Sequence, residues 1–182
     1  MQSKAWLGDQ GFSRRPAGLG SFVAAVAMED HPEAIQILRR GLISNPNDPL
    51  LLNNLAYSLA CMGKTDQAEQ YLHKITIEGD DPGGESLSIT KTATAGLIEY
   101  RKGNFDHGRA LYRKAYESAR NAGQDRLLSR VVLFFALEEV RAGIALSDPA
   151  LRGALEIGQE TSDPLLQLLA KRLLNVRPVP SE

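Results

Sequence analysis

Three histidines, one cysteine, two adjacent glutamates and a glycine-rich turn are the parts of this 182-residue chain whose types could do chemistry. His31, His73 and His107 could ligate a metal, but none has a second His or Cys at metal-ligand spacing, so they read as surface residues. Cys61 stands near the end of an apolar run with no cation beside it to lower its pKa, the setting of a thiol that only packs. Glu138 and Glu139 could share acid and base roles only if both carboxyls met at one point. Adjacent positions on a helix point apart, and the pair reads as a solvated face. DDPGG at 80–84 lacks the lysine and hydroxyl residue of a phosphate loop and follows no predicted strand, so it reads as a turn. No catalytic residue, metal ligand or cofactor site is expected, and the chain does not read as an enzyme.

The elements that position the remaining polar side chains are therefore the informative part. With 43% hydrophobic residues the chain can bury one domain-sized core. Its 21 basic and 22 acidic residues nearly cancel, which disfavours strong nucleic-acid binding and attraction to an anionic membrane. A single cysteine excludes an internal disulfide framework and fits a reducing compartment. No stretch has the continuous apolar character of a signal peptide or a membrane span, so a soluble, cytoplasmic protein is expected.

Two stretches repeat one grammar. DHPEAIQILRRGLISNP (30–46) and KTDQAEQYLHKITIEGD (64–80) place Ala34 and Ala68 34 residues apart, and self-similarity at that period is the signature of stacked helical hairpins. Asp30 and Asp48 read as N-caps, with Pro32 and Pro49 in the first turns behind them. Gly63, Gly103 and Gly143 read as turns. The interval from Ala68 to Gly108 is longer, which predicts longer helices in the third unit. A fourth hairpin would run over Arg126 to Ala142 and from Asp148 to about Gln159, followed by a closing helix within 162–175. Residues 1–15 read as an arm or the stub of a longer protein, with Trp6 and Phe12 docking on the first helix. Residues 16–175 form the solenoid, and 176–182 a frayed tail.

Leu52-x2-Leu55-Ala56-x2-Leu59, then Gly63, then Ala68-x3-Leu72 resembles the tetratricopeptide repeat. The upstream copy matches in its second half, as Ala34-x3-Leu38 and Pro46; the third reads Thr92-x2-Ala95-Gly96-x2-Glu99, then Gly108-x3-Tyr112. The resemblance implies an all-α, right-handed α-solenoid of antiparallel helical hairpins, in which Ala56 faces Ala68 and Gly96 faces Gly108 to let paired helices approach. It also implies a concave groove lined by first helices. In this register the groove includes Asn53, Asn54, Tyr57 and Ala60, then Ala93, Leu97, Tyr100 and Arg101, then Arg130 and Phe134. One subclass of the family grips a C-terminal carboxylate with basic and amide side chains. Only Asn54 falls in place for that, with Leu19, Val23, Thr90 and Thr94 at other clamp positions, so such binding is not expected.

Tyrosine, asparagine and arginine on an apolar wall suit a peptide or partner protein, since Asn can bond a peptide backbone and Tyr and Arg are favoured anchors. The alternatives are a regulatory or oligomerisation domain of a larger enzyme, and a homodimer through the leucine-rich helix of residues 163–174.

Overall fold

The computed structural model describes residues 10–77, 83–146 and 161–175, together with 148, 151, 153, 154, 156 and 157, and side chains from residue 14 onward. Trp6, the Phe12 side chain, most of the DDPGG turn, much of the expected helix from Asp148 to Gln159, and the tail at 176–182 lie outside them.

Among the described residues eight α-helices carry the architecture: α1 (Gln10–Phe22), α2 (His31–Ser44), α3 (Pro49–Cys61), α4 (Thr65–His73), α5 (Gly84–Arg101), α6 (Phe105–Asn121), α7 (Asp125–Arg141) and α8 (Pro164–Asn175). Helix α1 begins inside the stretch read as an arm, and it continues into a π-helical turn over Val23–Ala27. None of the described helices is long and apolar enough to cross a membrane.

The caps fall where the sequence puts them. The Asp30 carboxylate accepts the Glu33 N–H at 3.0 Å and Asp48 accepts that of Leu51 at 2.9 Å, each satisfying a donor that the first turn leaves free. At the other end of α3, Gly63 adopts φ +71°, the left-handed conformation that glycine enters without steric penalty. Lys64 N–H then reaches back to Leu59 and Gly63 N–H to Ala60, reversing the chain into α4. The same bonds recur at Gly103, Gly123 and Gly143.

Neighbours in sequence are neighbours in space. Helices α1 with α2, α3 with α4 and α5 with α6 form hairpins, while α1, α3, α5 and α7 also pack one on the next as an inner layer. The result is an α-solenoid of helical hairpins. Helix α3, enclosed on most sides, buries Leu51, Leu52, Leu55, Ala56, Leu59 and Ala60. Helix α6 buries only the stripe Gly108, Tyr112, Ala115 and Ala119, as an outer helix should. The longer third interval is taken up in helix: α5 and α6 have 18 and 17 residues, against 13 and 9 in α3 and α4.

Small residues set the helix spacing. A Cβ at Gly108 would lie 2.6 Å from Tyr100 Cδ2, and one at Gly96 would lie 2.9 Å from Tyr112 Cδ2. Ala56 and Ala68 are likewise wholly buried.

Helix α8 spends its leucines inward. Leu166, Leu169 and Leu173 are buried and α8 packs on α7, which leaves Leu174 as its exposed large apolar side chain. Arg172 then ties the end of the chain to its beginning, donating from Nη2 to the Ala27 carbonyl at 3.1 Å. Its Nε lies 3.5 Å from Glu29, which Arg141 also approaches at 3.8 Å. Glu29 has φ 56°, an uncommon conformation for a residue with a side chain, and it stands two residues after the end of the π-helical turn.

Candidate binding cavity

The inner helices diverge enough to leave a cavity of about 570 Å³, within the range of small-molecule and anchor-residue sites. Its walls come from all four. Helix α1 and its π-helical turn give Leu19, Phe22 and Val26; α3 gives Asn53, Asn54, Tyr57 and Ser58; α5 gives Thr90, Ala93, Thr94 and Leu97; α7 gives Arg126, Arg130, Val131 and Phe134. Of the ten expected groove residues, Asn53, Asn54, Tyr57, Ala93, Leu97, Arg130 and Phe134 meet here.

Tyr100 and Arg101 do not line it. The Tyr100 ring fills the space over Gly108, and its hydroxyl donates to the Glu139 carboxylate. Arg101 forks onto Glu138, with Nη2 3.1 Å from Oε1. Ala60 is wholly buried between helices. The sequence register placed these residues on the groove because their spacing fits it; Tyr100 and Arg101 instead belong to the contact between α5 and α7.

Glu138 and Glu139 are a second correction. Instead of facing solvent they are 2% and 1% exposed. Burial of two carboxylates is sustained by donors from three helices: Arg101 and Arg141 bond Glu138, the latter at 2.8 Å, and Tyr100 and Arg109 bond Glu139. Arg101 is held protonated by Glu138 even though burial works against its charge.

Aromatic contacts narrow the cavity. Tyr57 of α3 meets Phe134 of α7 edge to face at 5.8 Å, and the Arg130 guanidinium lies over the Phe22 ring of α1 at 5.9 Å. Farther along the same helices stand Cys61, Glu138 and Arg141. His31, expected at the surface, is half-buried with its ring 5.9 Å from that of Tyr57. Burial lowers its pKa, and Arg141, Arg101 and Arg172 add to the effect against Glu29. Burial also pushes the Cys61 thiol up to about 11, so it stays protonated and unreactive near neutral pH.

Polar groups on the walls are left without partners. Asn53 Oδ1, Ser58 Oγ and Arg130 Nε are buried and make no hydrogen bond. A buried unsatisfied group costs about 1–3 kcal/mol, so three on one cavity are an arrangement that a bound molecule could relieve. Burial lowers the Arg130 pKa, and Arg126 one helical turn away lowers it further. The described residues hold no cluster of three or more metal-ligating side chains.

Leu19, Thr90 and Thr94 stand at the clamp positions noted in the sequence, whereas Ser58, Phe22 and Val26 were not expected on the groove. The α1 contribution had a signal in the helical spacing of Leu19, Phe22 and Val26, but that half-repeat departs too far from the motif to fix its register.

A family model of the tetratricopeptide repeat matches residues 37–70, from within α2 through α3 and into α4. The match centres on the second hairpin, and repeats of this kind point in general to a protein-interaction module. No curated protein and no solved structure matches the chain.

Proposed function

We propose that this solenoid is a protein-interaction module whose concave cavity receives an apolar anchor from a peptide or partner protein. The observation that carries the reading is the convergence of all four inner helices on one cavity, with Asn53, Tyr57, Arg130 and Phe134 on its walls. Tyr and Arg are the side chains most often found at the energetic centre of an interface, and Asn53 keeps a carbonyl oxygen free for a peptide N–H. Aromatic contacts across the cavity favour a side-chain anchor over a long extended segment.

The test compares partner capture by the purified chain with that of Ala93→Trp, which fills the cavity, and of Lys114→Glu, which changes the exposed outer face of α6. A partner retained by the chain and by Lys114→Glu, but lost by a fully helical Ala93→Trp, supports the proposal. Equal retention by all three would move the interface off the cavity.

The self-association alternative has less apolar surface to use on α8, because Leu165, Leu166, Leu169 and Leu173 pack wholly or partly against the body. A regulatory domain within a larger enzyme would use the same cavity.

A further inference from the structure

The cavity walls carry charge of one sign. Among the described lining residues are two arginines, Arg126 and Arg130, and no carboxylate. Arg126 is already committed, since its Nε bonds Asp163 at 2.6 Å. Arg130 makes no ion pair among the described residues; Asp163 touches it only through its longer-range field. A cation held beside the Phe22 ring and beside another arginine, with a buried Nε that has no acceptor, lacks the anion that such a site ordinarily includes. The rest of the wall is apolar, and the wholly buried Ser58 keeps a hydroxyl without a partner.

From this charge complementarity we propose that the cavity binds a small amphiphilic acid: an acyl or aryl body lying among Phe22, Ala93, Leu97 and Phe134, with its carboxylate on Arg130. Arg130 presents a planar fork that matches a carboxylate, and the low-dielectric wall strengthens that bond. The Tyr57–Phe134 contact bridges α3 and α7 and narrows the cavity, which favours a small acid over a through-running peptide. This site goes beyond partner docking and shares its cavity, so acid and partner anchor would compete for it; the titration is read on the isolated chain and does not depend on a partner.

Isothermal titration of the whole chain with sodium octanoate, 1-octanol and octylammonium chloride tests the proposal. The account expects octanoate to bind, with octanol about tenfold or more weaker for want of one charge-assisted hydrogen bond, and octylammonium weaker still. Arg130→Gln should weaken octanoate by about tenfold and leave octanol unchanged, while Arg130→Lys retains a preference for the acid. Ala93→Trp should abolish binding of both. No octanoate binding, equal binding of octanoate and octanol, or indifference to Arg130→Gln would each overturn the assignment. So would binding of a leucine-terminated pentapeptide acid where octanoate fails, which would give the site to a chain terminus. If Arg130→Gln loses helicity, the octanoate preference of the unaltered chain decides alone.

Discussion

Replacing Gly108 by alanine puts the packing of α5 on α6 to a quantitative test. In the interior of an exposed helix the change should stabilise by about 1 kcal/mol, because glycine is the poorer helix former. Here the new methyl would lie 2.6 Å and 2.9 Å from two Tyr100 ring carbons and 3.1 Å from the Gly96 carbonyl oxygen. Tyr100 cannot readily give way: its hydroxyl is bonded to Glu139, and its ring centroid lies 5.9 Å from those of Phe105 and Tyr112. The Gly96 carbonyl can retreat only if the helices separate. Overpacking costs about 1–3 kcal/mol, so the propensity gain is outweighed and a net loss of up to about 2 kcal/mol is expected. That corresponds to a fall in Tm of up to about 8 °C for a chain of this size. Gly20→Ala is the matched control, because its methyl would meet only Ile37, at an ordinary 3.8 Å, and it should be neutral or stabilising. Thermal and urea denaturation of both variants checks the pair. A Gly108→Ala protein as stable as the unaltered chain, or more so, would refute the close approach of α5 and α6.

Leu169→Ala on α8 should cost about 2–5 kcal/mol, because that side chain is wholly buried, whereas Leu174→Ala, at 69% exposed, should change stability little and leave the oligomeric state unaltered; denaturation and sedimentation velocity check both. Arg101→Met should destabilise by about 3 kcal/mol by stranding part of the Glu138 carboxylate, and Arg101→Met with Glu138→Leu should recover much of that loss in a double-mutant cycle. The depressed pKa of His31 means that the folded state resists its protonation, so its contribution is fully present above the unfolded value near 6.5 and declines as pH falls through that value toward the folded one. Urea midpoints between pH 8 and 5 should accordingly fall less steeply for His31→Gln than for the unaltered chain.

Fold was legible because it is written in local chemistry. Asp30 and Asp48 cap, Pro32 and Pro49 follow, Gly63 reverses the chain, and Ala34, Ala68 and Gly108 repeat at the helix contacts. Each is a property of a few neighbouring residues. The cavity was legible at Asn53, Asn54 and Tyr57 in the best-matched unit and, by the same helical spacing, at Leu97, Arg130 and Phe134. Tyr100, one turn beyond Leu97, satisfies the same periodicity yet is drawn inward by Gly108 and Glu139, a pairing 39 residues apart that no local pattern encodes. Glu138 and Glu139 failed for the same reason, since their partners Arg101, Tyr100 and Arg109 come from other helices. The bond of Arg172 to Ala27 spans 145 residues and has no sequence signature.

The concave cavity as the binding surface is the central claim, and site-specific photo-crosslinking tests it most directly. A benzophenone side chain at position 93, inside the cavity, is compared with one at position 114 on the outer face of α6, in the presence of cell extract and then of any partner so found. The account expects a discrete crosslinked species from position 93, competed away by excess unmodified chain, and none from position 114. A competed crosslink from position 114 with none from position 93 would contradict it.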